Sequence, residues 1–108
     1  MVEAVQIQLK KGVLELCVLA LLSHGDNYAY DIAARLAVGI DMGEGTIYPL
    51  MRRMQDDGLV DTYLKESPAG PPRKYYRLTE AGKASFIQQK DAWRAFAKAV
   101  EDILGEAA

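Results

Sequence analysis

Thr46, Tyr48, Arg52 and Arg53 fall within the stretch GEGTIYPLMRRM (43–54), and their donors could hold phosphate or read base edges. Ile47, Leu50, Met51 and Met54 recur there at i, i+3, i+4 and i+7, the apolar stripe of an amphipathic helix. At about 100° per residue, Pro49, Arg52, Arg53 and Asp56 oppose that stripe, with Thr46 and Tyr48 flanking them. Arginine can reach phosphate or guanine, Thr46 a thymine methyl or a phosphate, and Tyr48 can donate its hydroxyl to a phosphate. Small residues at the start, Gly43, Gly45 and Thr46, would let the backbone approach a duplex. The partial positive charge of a helix start also suits an anion. If the cap falls between Gly43 and Thr46, Pro49 lies in or just after the first turn, where its missing N–H costs little. An ordinary helix with a solvated charged face has the same pattern, so this segment alone leaves both readings open.

A second set of donors follows in ESPAGPPRKYYR (66–77), where two prolines and a glycine precede Arg73, Lys74 and Arg77. Residues 65–77 carry a local excess of three positive charges, although the chain as a whole has 13 basic and 15 acidic residues and a net charge of −2. Acid is concentrated elsewhere, for example at Glu101, Asp102 and Glu106. Strand alternation puts Tyr76 and Leu78 on one face, assigned to the core with the Lys74 stem at its edge. Tyr75 and Arg77 take the other face.

Catalytic patterns are absent from the sequence. His24 is the only histidine and sits at a helix boundary, where a turn or capping role fits. No nucleophile–base pair, glycine-rich phosphate loop or metal-ligand cluster is visible, and no cofactor is expected. Asp56 and Asp57 are neighbours on one helix, not carboxylates opposed across a cleft. The lone Cys17 cannot form an internal disulfide and reads as a small buried hydrophobe.

A chain of 108 residues is one domain's worth, half apolar and a quarter charged, as in an ordinary globular protein. No apolar run reaches the roughly 18 residues needed to span a membrane. The stretch VLELCVLALL (13–22) lacks a small-residue cleavage pattern, so it reads as a core helix rather than a leader. A cytoplasmic location follows as the default.

After an N-terminal arm, a helix is expected over about 10–23, with Gly25 closing it and Asp26 or Asn27 capping the next. The second helix, about 28–38, buries Ala29, Ile32, Ala33 and Leu36 and ends near Gly39. After a turn at 40–43, the third helix runs to Asp57 and Gly58 ends it. Strand 59–65, turn 66–72 and strand 73–78 form a hairpin. Thr79 caps a last helix reaching about Leu104, with Glu80 at its positive end. The fold class is therefore mostly α with a small β-hairpin, a winged helix-turn-helix plus one long C-terminal helix. Residues 1–78 form the DNA-binding unit and 79–108 the dimerisation helix, packed as one compact body. In that motif the third helix enters the major groove, and the wing lies along the backbone and can put a basic residue in the minor groove.

Three stretches, DNYAYDIA (26–33), TIYPLMRRMQDDGLV (46–60) and PRKYYRLTEAG (72–82), closely resemble the PadR family of bacterial transcriptional regulators. The resemblance covers roughly residues 9–104. It implies a dimeric winged-helix repressor that binds pseudo-palindromic operators and releases them on a small effector or stress signal. By motif position it makes Tyr30, Thr46, Tyr48, Arg73 and Lys74 DNA-contact candidates, beside Pro49, Arg52, Arg53 and Arg77 from the same two faces. A single C-terminal helix resembles the short subgroup. A winged helix that binds only protein is the alternative; such a module need not carry a basic third helix and wing.

Phe86, Trp93, Phe96, Val100, Ile103 and Leu104 recur at spacings of seven, three and four along the last helix. About 25 helical residues extend almost 40 Å, beyond a small domain, so this stripe needs a partner, and a two-fold dimer is the usual one. The first helix, apolar nearly all round, adds Val13 and Cys17 to that interface. Trp93 and Phe96 are candidate ligand-binding residues. One branch of the family stacks flat aromatic compounds at the dimer interface, which implies a sandwich between paired Trp93 rings; simple interface packing is the other reading.

Overall fold

The computed structural model describes residues 9–105. The expected N-terminal arm and Glu106 of the acidic end lie outside the described residues, apart from Leu9. Helix α1 spans Leu14–Ser23. Residues 9–11 are also helical, but the expected continuous helix breaks at Gly12 and Val13, a turn that glycine makes inexpensive. Leu14, Val18, Leu19 and Leu22 are buried, while Val13, Leu16, Cys17 and Leu21 are half-buried. The helix thus has one covered face and two partly covered flanks.

Gly25, with φ 154°, follows α1. Neither Asp26 nor Asn27 then caps the next helix. Instead Asn27–Tyr28 forms a short strand, β1, and α2 (Ala29–Ile40) starts after Tyr28 without a side-chain cap. Asn27 Nδ2 donates to Asp31 Oδ2 at 2.5 Å, inside the first turn. Helix α2 also outlasts Gly39. Asp41 carries the left-handed turn (φ 56°), and the following Met42 N–H returns to the Leu36 carbonyl as Met42 joins the core.

Helix α3 spans Glu44–Asp56 from an N-cap at Gly43, and its buried residues are Ile47, Leu50, Met51 and Met54. Counted from Glu44, Pro49 is the sixth residue, one turn deeper than the first. Its missing N–H leaves the Gly45 carbonyl without an in-helix partner, but both residues are exposed and water can bond there. The Gly58 φ of 78° ends the helix as expected.

Strands β2 (Val60–Ser67) and β3 (Gly70–Leu78) form a longer hairpin than the prolines imply. The turn narrows to residues 68–69. Pairing runs from Val60↔Leu78 to Lys65↔Arg73 and then Ser67↔Gly70, so Pro71 and Pro72 together face Glu66. Prolines fit such a bulge because a ladder N–H is not required there. β1 pairs with the other side of β3, making a three-stranded antiparallel sheet of order β1-β3-β2 in place of a bare hairpin.

Helix α4 spans Glu80–Leu104. The Thr79 side chain accepts from the Gly82 N–H at 3.0 Å, the expected cap. Val18, Leu19, Ile32, Ile47, Met51, Met54 and Val60 fill a core shared by three helices and the sheet, with Tyr76 above it. Phe86 joins from α4, and one turn on Gln89 still reaches Glu15 of α1. The described residues extend 55 × 31 × 22 Å with a radius of gyration of 15.8 Å; a compact chain of this length has about 13 Å. Three helices carrying a wing and followed by one long helix constitute a winged helix-turn-helix. No helix among the described residues is long and apolar enough to cross a membrane.

Candidate nucleic-acid interface

Burying Ile47, Leu50, Met51 and Met54 turns the opposite side of α3 outward. Thr46, Tyr48, Pro49, Arg52 and Arg53 are all exposed on it. Tyr30, at the start of α2, is 62% exposed. Among the described residues, Arg52 has no carboxylate within ion-pair distance. Arg53 differs: its Nη2 lies 3.9 Å from Glu15 Oε1 on α1. Glu15 also accepts a 2.6 Å hydrogen bond from Gln89 Nε2 of α4, so one carboxylate touches both helices.

The wing presents Arg73 and Lys74 in solvent. Alternation separates them: Lys74 shares a face with core Tyr76, its Nζ 5.5 Å from that ring, whereas Arg73 lies over Tyr28 at 4.5 Å. Arg77 is held at the wing's base. Its Nε donates to Asp61 Oδ1 at 2.7 Å and its guanidinium covers Tyr63 at 5.1 Å. The Tyr63 hydroxyl donates to Asp26 Oδ2 at 2.8 Å, which keeps that phenol protonated to higher pH than usual. The structure therefore brings Arg73 and Lys74 to the exposed wing and leaves Arg77 matched to a carboxylate.

Sequence reasoning overlooked Tyr28 and Tyr63. Alternation could have placed Tyr63 beside Tyr75 on the outer face, but a two-residue strand leaves no periodic signal for Tyr28.

The residues expected at a dimer interface divide into two groups. Phe86 packs against its own chain's core, and Cys17 is half-buried there, its thiol pKa pushed up by burial. Trp93 (47% exposed), Phe96 (68%) and Ile103 (84%) stand in solvent along α4, with Leu104 beyond. Trp93, Phe96 and Val100 face Val13 and Ile40 across an open, mostly apolar groove of about 630 Å³, with Lys10 and Glu101 at its edge. Among the described residues no three His, Cys, Asp or Glu side chains are grouped to hold a metal.

The family model for the PadR-like transcriptional regulators matches residues 18–88. A PadR-like transcriptional regulator from Bacillus cereus is 37% identical, with 90% of this chain and 96% of that one covered and a TM-score of 0.83. A PadR family regulator from Eggerthella lenta is 31% identical, covering 99% and 94%, also at 0.83. Bacillus subtilis PadR, solved in complex with operator DNA, is 26% identical; the match covers 70% of this chain and 45% of that one, at 0.63. A match running from α1 into α4 embraces α3 and the wing alike, and the chain belongs to the PadR-like family of transcriptional regulators.

Proposed function

We propose that this protein is a dimeric DNA-binding repressor that leaves a pseudo-palindromic operator when a small, planar aromatic effector or a stress signal arrives. The observation that carries this reading is the outward face of α3, where Thr46, Tyr48 and Arg52 have no side-chain partner among the described residues, beside a wing exposing Arg73 and Lys74. Donors standing in solvent at a helix start and on an adjoining hairpin match the two contact zones of a winged helix on DNA. Operator binding by Bacillus subtilis PadR supports the same reading. Tyr30, Thr46 and Tyr48 take phosphates or base edges, with Pro49 shaping the approach. Arg52 and Arg53 reach phosphate or guanine, and Arg73 and Lys74 the backbone beside the wing. Arg77, matched to Asp61, contributes least.

Residues 1–78 form the reading unit and 79–108 the dimerisation helix. The exposed stripe of Trp93, Phe96, Ile103 and Leu104 supports a two-fold partner, because large apolar groups in a row are otherwise left in water. The groove beside Trp93 supports an aromatic effector. A regulator of this kind works in the cytoplasm.

Fluorescence anisotropy against the gene's own upstream DNA, with nonspecific competitor and several salt concentrations, tests the reading. Competitor-resistant binding is expected, with log affinity falling by about 0.9 per phosphate contact per decade of salt. If neither that DNA nor a random-sequence selection yields specific binding, the regulator reading fails. Trp93 fluorescence unmoved by a panel of planar aromatic compounds would remove the effector from it.

A further inference from the structure

The outer face of the sheet holds an arrangement that the contacts above leave unused. Register puts Tyr28 of β1 and Tyr63 of β2 on either side of Tyr75 of β3. Ring centroids are 5.4 Å apart for Tyr28–Tyr75 and 5.8 Å for Tyr63–Tyr75, both within the range of favourable aromatic pairs. A cation covers each ring: Arg73 over Tyr28, Lys65 over Tyr75 at 4.9 Å and Arg77 over Tyr63. The two ends of this ladder differ. At the Tyr63 end, Asp26 holds the phenol and Asp61 neutralises Arg77. At the Tyr28 end, Arg73 has no carboxylate within ion-pair distance among the described residues.

We propose that Tyr28 is a positioning residue for DNA binding: its ring, fixed by the tyrosine ladder, holds the Arg73 guanidinium ordered before a phosphate arrives. This rests on the DNA-binding reading above. A guanidinium offers two separate surfaces. Its flat face stacks on an aromatic ring, while its N–H donors point outward in the plane and stay available to phosphate oxygens. Stacking therefore fixes the side chain without consuming the donors. β1 makes this possible, since pairing Asn27 with Tyr76 and Tyr28 with Tyr75 sets the Tyr28 ring beside the wing.

A double-mutant cycle tests the proposal, with each variant's melting transition checked for folding. Tyr28→Leu should weaken operator binding about two- to fivefold, the value of an exposed cation–π contact, while leaving the salt slope unchanged. Arg73→Ala should lower that slope by about 0.9. In the Arg73→Ala background Tyr28→Leu should cost nothing more, and Tyr28→Phe should bind like the parent. Equal losses from Tyr28→Leu in both backgrounds would show that Tyr28 acts through the sheet and overturn the proposal, as would Tyr28→Phe behaving like Tyr28→Leu. A second measurement needs no DNA. The Arg73 side-chain N–H proton should be shielded by the ring in the parent and Tyr28→Phe and lose that shift in Tyr28→Leu; an unshifted parent signal overturns the proposal. Absence of specific DNA binding by the parent would fail the regulator reading, and the shift would still show whether the ring holds Arg73.

Discussion

At Gly82 a methyl group has nowhere to go. A Cβ built there would fall on the Leu59 carbonyl, a backbone atom that cannot swing aside, with Leu78 close by. Gly82→Ala is expected to destabilise the fold by about 2–3 kcal/mol through overpacking, measured by urea unfolding. Asp31 offers a charge-based test. Hydrogen bonds from Arg35 and then Asn27 hold its carboxyl below the ordinary range. A carboxyl with a depressed folded pKa stabilises above its unfolded value and loses that contribution as pH falls through the folded one. Asp31→Asn should therefore be less stable than the parent at neutral pH, and the gap should close in acid. Arg35 is largely exposed and Asp31 half-buried, so solvent screening keeps the effect modest. Cys17, with its thiol pKa raised by burial, should alkylate slowly in the native protein and at the rate of an ordinary thiol once urea unfolds it. The Thr79 cap could be read directly from the sequence because a threonine before a helix has one favoured partner, an N–H two or three residues on. The cap expected at Asp26 or Asn27 could not, because Asp26 instead bonds Tyr63, 37 positions away in the chain, and Asn27 pairs in β1.

Among the elements, α3 was the most legible. A four-residue stripe and a terminal glycine specify both its buried face and its end, and all four stripe residues are buried. The wing was read too short because prolines usually mark a turn, whereas here Pro71 and Pro72 occupy a bulge. β1 was invisible, since two residues carry no period and its pairing depends on β3 almost fifty positions later. Helix α4 was legible in length, but its stripe conceals a change of role: Phe86 serves its own core, and Trp93 and Phe96 do not. That division makes a clean experiment. Phe96→Asp touches a side chain 68% exposed in the single chain, so the variant should keep its helical circular dichroism and melting cooperativity while light scattering reports a monomer. A persistent dimer would place the interface elsewhere.

For the whole molecule, shape and charge matter more than totals. A net charge of −2 is a poor guide to a chain in which residues 65–77 alone carry an excess of three positive charges. Dimerisation would join two such readers, so losing it removes one half-site from each binding event. Phe96→Asp is accordingly expected to weaken operator binding by about a hundredfold or more, the usual gain from tethering two sites. Anisotropy with full operators and single half-sites checks this: the parent should prefer the full operator strongly, and the variant hardly at all. Which faces of α3 and the wing point outward could be seen from helix stripes and strand alternation; how Arg53 and Arg77 are turned toward Glu15 and Asp61 required the tertiary packing.

The first turn of α4 is fastened to the corner where α3 ends and the wing begins. The Thr79 hydroxyl donates to the Gly58 carbonyl at 2.6 Å, the Thr79 N–H to the Leu59 carbonyl at 3.1 Å, and Gly82 lies flush against that same carbonyl. Mechanically this anchors one end of a long arm at the corner between α3 and the wing. An arm of 25 residues is roughly 37 Å long, so a shift of about 3 Å at its far end corresponds to a tilt of only about 5° at that corner. With backbone against backbone there, little slack exists to absorb such a tilt.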